Sequence, residues 1–323
     1  MDESRSALRR APRRAVDGIL LLDKPEGLTS NAVLQRVKRL YQADKAGHTG
    51  SLDPIATGLL PICFGQATKL SGFLLEGDKR YRVSARLGVK TSTADREGES
   101  IATSDAASVT REQIASVISR FVGVQQQVPP MYSALKHAGQ RLYELARSGV
   151  EVERAPRAIT IHGLELTGFE DGLFELDVRC SKGTYVRTLV EDVAAAIGQV
   201  AHVVALRRTG AEPFWSPELV TVEALEGAAA QGQAALDALL QPLAAGTSGL
   251  PQVQIDDDRA FYLSRGQAVR VASVPDSQAI AVLNRGGRLL GIARRDADGM
   301  LAPSRWLDYN ARLENDRMKD LEP

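Results

Sequence analysis

The stretch from Gly47 to Gly72, GHTGSLDPIATGLLPICFGQATKLSG, sets the reading of the whole chain. Its first twelve residues hold three glycines, one proline and a single acid, Asp53. Glycine permits positive φ and close backbone approach, while Pro54 drives Asp53 out of the helical region towards extended geometry. The carboxylate is therefore expected on a shaped loop. An Asp-Pro pair is ordinarily no more than a turn between two elements. Here His48 and Thr49 lie just upstream, and the run Leu59 to Phe64 reads as a buried strand that anchors the loop. A polar loop pinned by core is a candidate site.

Upstream, GILLLDKPEGLTSNAVLQRVKRLY from Gly18 reads as a buried strand, a turn at Lys24-Pro25, and a helix capped by Thr29 or Ser30. Downstream, KRYRVSARLGVK (Lys79 to Lys90) carries five cations, no acid and the alternation of a strand. Tyr81, Val83, Ala85 and Leu87 share one face; Arg80, Arg82, Ser84 and Arg86 share the other. Such a charged face suits solvent and phosphate equally. Tyr81, on the apolar face, reads as a core tyrosine or a platform for a base. Asp105 to Val122 predicts a helix with a Thr110-Gln113 capping box and Ile114, Val117, Ile118 and Phe121 as its buried stripe.

The segment after Pro129-Pro130 interleaves Lys136, His137, Arg141, Arg147, Arg154 and Arg157 with Tyr132 and Tyr143. That mixture suits RNA, or an amphipathic surface helix stopped by Gly149. Phe174 to Cys180 alternates as a strand and leads through Ser181 to Thr184 into a helix with Val186, Leu189, Val190, Val193 and Ile197 at helical spacing. Arg187 at its mouth is either a surface charge or an arginine fork beside Asp53 that keeps the carboxylate ionised. His202 to Phe214 returns as a strand in which Leu206 is most simply core. Residues 226 to 250, rich in Ala, Gly and Gln, read as a linker. Val253 to Leu313 reads as a small β-rich unit with Arg285, Arg288, Arg294 and Arg295 close together.

The chain has 323 residues, 44% of them hydrophobic, enough for one large domain and a small one. Forty basic and forty acidic residues cancel, so net charge decides nothing about nucleic acid. Two distant cysteines, Cys63 and Cys180, give neither a disulfide framework nor zinc-ligand spacing, and fit a reducing cytosol. No apolar run reaches the ~18 residues of a membrane span, and no signal-peptide core opens the chain. Residues 1 to 16, with five arginines and little apolar content, read as a disordered tail. Walker A, GxGxxG, nucleophile-elbow and metal-type patterns are missing.

Several of these strings resemble one family. GHTG-x-LDP-x-ATG-x-L around Asp53, KP-x-G-x-TS around Lys24 and Pro25, the PPMYSALKHAGQRLY segment and CSKGTYVRTL resemble the motifs of the TruB pseudouridine synthases. The resemblance implies an α+β fold with a mixed, largely antiparallel sheet flanked by helices over residues 17–248, and a PUA-like RNA-binding domain over 249–323. It implies Asp53 as nucleophile paired with Arg187, Tyr185 against the substrate base, Leu206 lining the uridine pocket, and Lys24 and Pro25 in the first motif. Tyr81 and His48 are then expected to stack on an extruded base and to fill the space it leaves. The implied activity is conversion of uridine 55 to pseudouridine in the TΨC loop of tRNA, without metal or cofactor, by a cytoplasmic monomer.

The residues alone leave two rivals, a non-catalytic RNA chaperone and an aspartate-dependent N-glycoside hydrolase. Products separate the three: unchanged nucleotides, free uracil or pseudouridine. Chaperone activity is also compatible with catalysis.

Overall fold

The computed structural model describes residues 13–308. In chain order these form β1 (Gly18–Lys24), α1 (Ser30–Leu40), β2 (Ala46–His48), β3 (Ala56–Phe64), a 3₁₀ turn (Gly65–Leu70) and α2 (Ser71–Glu76). There follow β4 (Lys79–Leu87), β5 (Val89–Thr91), β6 (Ser100–Thr103), α3 (Arg111–Ile118), β7 (Gly123–Gln127), β8 (Lys136–His137), β9 (Gln140–Arg141) and α4 (Leu142–Arg147). Then come β10 (Arg157–Glu170), β11 (Leu173–Cys180), α5 (Val186–Ala195), β12 (Ala201–Ala211), β13 (Phe214–Trp215), α6 (Val222–Gln231) and α7 (Gln233–Asp237). The chain continues with β14 (Gln252–Ile255), α8 (Asp257–Ser264), β15 (Ile280–Asn284), β16 (Leu289–Arg295) and β17 (Leu301–Trp306).

The large sheet runs β1-β3-β12-β4-β11-β10-β7, with β2 added to β3 and β13 to β12. Its one parallel pair is β12 with β3; the rest are antiparallel. The mixed, largely antiparallel expectation holds. Helices α1, α3, α5, α6 and α7 bury Val33, Ile114, Leu189, Leu225 and Leu236 against one face of this sheet, together with Val83, Leu176 and Val203. At the β1 end the second face is covered too: Leu20 and Leu22 point into the main core, Ile19 and Leu21 into a smaller one with Leu59 and Leu74. Burial on both faces is why GILLL reads as an unbroken apolar run.

Caps form where the sequence places them. Thr29 Oγ1 accepts from Ala32 N to start α1, and Thr110 and Gln113 close a reciprocal box at α3. Two readings need correction. Residues 226–250 are not an extended linker: they contain most of α6, all of α7 and a 3₁₀ turn, with Leu236 buried and Gln241 paired to Ile19. An Ala-rich segment offers little periodic signal, so only its few large side chains, inserted into core, reveal the packing. The expected tail also ends sooner. Residues 1–12 lie outside the described residues, but Arg14 forms a two-pronged ion pair with Asp237 (2.6 and 2.7 Å) and Val16 is buried.

A four-stranded sheet, β14-β15-β16-β17, forms the expected β-rich C-terminal unit, whose expected residues 309–323 lie outside the described ones. Helix α8, capped by Asp256, had no counterpart in the strand-only reading. Arg285, Arg288, Arg294 and Arg295 are all exposed. The unit is not tethered loosely. Ala281, Leu289, Ile292 and Leu307 share a buried cluster with Leu70, flanked by Phe73 and Leu243, and Lys69 Nζ donates to the Trp306 carbonyl (3.0 Å). Removing residues 251–323 should therefore expose Leu70 and Phe73 as well as weaken RNA binding. The truncated chain is expected to melt about 5 °C or more below the full chain by calorimetry. An unchanged midpoint would show that the cluster contributes nothing to the larger sheet.

Candidate active site

Asp53 lies on the loop between β2 and β3, and main-chain bonds hold both of its ends. Ser30 Oγ donates to Leu52 O (3.0 Å) and accepts from Leu52 N (2.7 Å), Ala56 N donates to Asp53 O (3.0 Å), and Gly27 N to Pro54 O (2.9 Å). Two buried cations complete the clamp. Lys24 Nζ donates to the carbonyls of Pro25 (2.8 Å), Pro54 (3.3 Å) and Ala56 (2.7 Å). From the other side Arg208 donates through Nε to Leu59 O (2.7 Å) and through Nη2 to Gly50 O (3.0 Å). Gly58, at φ +95°, passes so close to β12 that a Cβ would stand 2.3 Å from the Arg208 carbonyl oxygen. No other residue fits there.

Arg187, in the first turn of α5, is 4% exposed and meets Asp53 through Nε at 2.9 Å from Oδ2. The surface-charge alternative is excluded. The expected fork is corrected in detail: its two Nη groups donate to the carbonyls of Thr93 (2.6 Å) and Tyr132 (2.7 Å), and Nη1 lies 3.7 Å from Asp95 Oδ2. Arg187 thus touches Asp53 by one nitrogen and bridges to a second, buried acid. Asp95 went unnoticed in the sequence. Its signal was the turn TSTADREG, where Asp95 Oδ1 accepts from Thr93 Oγ1 (2.5 Å) and Glu97 N (3.1 Å).

Asp53 opens into a pocket of about 320 Å³ that is also lined by Tyr81, Tyr185, Arg187, Leu206, Lys79 and Arg208. Four of the expected site residues besides Asp53 are therefore brought together. Tyr81 and Leu206 come from the core-facing sides of β4 and β12, and Tyr185 stands at the N-terminal boundary of α5. Burial pushes the Tyr81 and Tyr185 phenols up from the ordinary tyrosine value, and the Arg208 charge partly offsets this at Tyr81.

Three expected residues stand apart from that lining. Lys24 is completely buried, with its ammonium directed at three carbonyls, so it holds the loop and has no surface to offer a substrate. Burial lowers its pKa to about 8, partly countered by the Asp53 charge. Pro25 supplies one of those carbonyls and does not line the pocket. His48 sits half-buried on β2 outside the lining, its pKa lowered by burial and by Arg208. The arginines of the alternating strand are likewise on the far face, where Arg80 pairs with Asp177 (2.8 Å), as Arg207 of β12 does with Asp23 (2.8 Å).

Comparison with known proteins shows the family of the chain. Residues 38–186 match the TruB family pseudouridylate synthase N-terminal domain, 187–246 the tRNA pseudouridylate synthase B C-terminal domain, and 251–307 the pseudouridine synthase II TruB C-terminal domain. The chain belongs to the TruB family. It is a pseudouridine synthase, an isomerase. It is 50% identical over 297 residues to the tRNA pseudouridine synthase B of Nitrosococcus oceani, covering 92% of this chain and 96% of that one. Against the protein of the same name from Aliivibrio salmonicida it is 44% identical over 317 residues, covering 96% and 99%. Among solved structures, a chain of a Cbf5-Nop10-Gar1 complex superposes with a TM-score of 0.72 at 23% identity, covering 90% of this TruB-family chain and 85% of that one, which shows the shared fold. Among the described residues no helix is long and apolar enough to cross a membrane.

The electrostatics give two tests. Burial raises the Asp53 pKa above 3.8, the Arg187 charge opposes this, and the Asp95 charge adds to it. The ionised form is lost as pH falls through that raised pKa. If ionised Asp53 is required, the single-turnover rate on RNA should fall on the acid side, and Asp95→Asn, which removes a repelling charge, should move that limb to lower pH. A limb that stays put would dissociate Asp95 from Asp53. Arg187→Lys replaces three nitrogens spread over a planar fork by a single one, which cannot reach Asp53 and the two Nη-bound carbonyls together. It should lose catalysis by orders of magnitude while RNA affinity changes little; wild-type turnover would refute the pairing.

Proposed function

We propose that this chain converts uridine 55 to pseudouridine in the TΨC loop of tRNA, with Asp53 as nucleophile, as a cytoplasmic monomer and without a cofactor. The observation that carries the reading is the Asp53–Arg187 pair at the wall of a pocket shared with Tyr81, Tyr185 and Leu206. The names of relatives that span nearly the whole chain support tRNA as the substrate.

The reaction must break an N-glycosidic bond, turn the base and rejoin it through carbon without losing it. A base in a folded loop has to be extruded first, and an enclosed pocket with an aromatic wall suits an extruded base. Asp53 then acts as nucleophile or proton acceptor. Attack at C1′, deprotonation at C2′ and addition to C6 all begin from the same ionised carboxylate. Arg187 fixes its direction and offsets the burial that would protonate it. Tyr81 offers its ring to the base, and the exposed Lys136, His137 and Arg141 lie on the segment that contributes Ser133 and Ala134 to the pocket, placed for phosphates.

Asp53→Asn keeps shape and removes the charge. Pseudouridine formation, followed by nucleoside analysis of tRNA, should vanish while tRNA binding survives. Appreciable residual turnover would remove Asp53 from the mechanism, and release of free uracil by the wild type would favour a hydrolase.

A further inference from the structure

Two cations in the pocket wall have no part in the steps above. Lys79 and Arg208 line the pocket at 6% and 1% exposure. Neither has a carboxylate within ion-pair distance among the described residues. Lys79 Nζ donates to the carbonyls of Leu75 and Gly77, and Arg208 to those of Leu59 and Gly50. A buried charge without a counter-charge is costly, and one facing a cavity is stabilised by whatever negative charge enters it.

Their placement follows from strand alternation. Lys79 and Tyr81 are successive same-face residues of β4, Leu206 and Arg208 of β12, and Arg208 lies directly opposite Tyr81 across the two strands. The flat surface made by Tyr81 and Leu206 is thus bordered by two cations. A phosphate is a poor fit to them: the strand backbone stays at the pocket rim when a nucleotide turns inward base first, and the rim cation is Lys182, 55% exposed.

We propose that Lys79 and Arg208 hold the detached uracil as its anion during the reaction. The proposal rests on the pocket being the uridine site. When N1–C1′ breaks, its electron pair leaves with the base, giving a uracil monoanion with charge shared by N1, O2 and O4. On the C1′ route, an Asp53 oxygen forms the new bond to C1′ and becomes neutral as the ester. Rejoining forms C5–C1′, breaks the ester bond and returns that pair to Asp53. The C5 proton ends on N1, so product and substrate have the same composition. Positive charge at the edge of the ring lowers the energy of the anion and keeps it from escaping. Lys79 is the cation assigned to the ring, while Arg208 also holds the Asp53 loop and adds its field.

The test uses the full-length Asp53→Asn chain, neutral at position 53 as the ester is, with free uracil and 5-nitrouracil, a similar ring that is anionic at neutral pH. Calorimetric titration should show 5-nitrouracil binding at least about tenfold tighter than uracil. Lys79→Met should abolish most of that preference through a loss of 5-nitrouracil affinity, Lys79→Arg should restore it, and Lys182→Met should not alter it. If Lys79→Met does not fold, Lys79→Gln, which can still donate to the two carbonyls, carries the same test. Absence of a preference, no binding of 5-nitrouracil at millimolar concentration, or a preference that survives loss of the Lys79 charge would each overturn the proposal. Pseudouridine formation on tRNA by the wild type tests the underlying reading separately.

Discussion

Two buried cations, Lys24 and Arg208, grip the Asp53 loop from opposite sides and direct their donors at five main-chain carbonyls. Loop carbonyls are orphan acceptors that need donors, and buried ammonium or guanidinium groups need acceptors. Each requirement meets the other only if the loop keeps one shape. The nearby Asp53 charge supports Lys24 in its ionised state, and Lys24 in turn favours ionised Asp53. The reactive acid is thus part of the electrostatics that shapes its own loop.

The sheet sorts the remaining charges. Because successive side chains of a strand leave on opposite faces, β4 and β12 send Lys79, Tyr81, Leu206 and Arg208 towards the pocket and Arg80, Arg82 and Arg207 towards solvent. On the solvent face the arginines find acids: Asp177 takes Arg80, Asp23 takes Arg207, and Asp78 takes Arg179, which also stacks on Trp215 at 5.2 Å. On the pocket face Lys79 and Arg208 meet carbonyls instead, while Arg187 meets two acids and Lys182, at the rim, meets Glu76. One face is close to neutral in pairs, and the other retains positive charge directed inward.

The second sheet belongs to the same mechanical unit. Its cluster with Leu70 bears on the 3₁₀ turn and α2, the segment that follows β3 and carries Leu75 into the pocket lining. Packing on the outside of the domain is therefore two short elements away from the site.

Periodicity and local chemistry by themselves determined a great deal: the buried β1 and β3, the alternation of β4, the caps of α1 and α3, and a conformationally forced loop around Asp53. These are consequences of nearest-neighbour physics, in which a proline restricts the residue before it, a hydroxyl caps the turn beside it, and alternation fixes a face. Motif strings added the pairing of Asp53 with Arg187. Only the tertiary structure decided that Lys24 supports the loop and does not face the pocket, that Arg208 differs from Arg207 beside it, and that Asp95 completes the Arg187 contacts. It also decided that residues 226–250 are packed helices. In each case the partner lies far along the chain: Arg208 bonds to Gly50 and Leu59, Arg187 to Thr93 and Tyr132. Whether a cation meets a carbonyl, a carboxylate or water is set by the register between strands and the seating of a helix, and that information is not present in any local stretch of sequence.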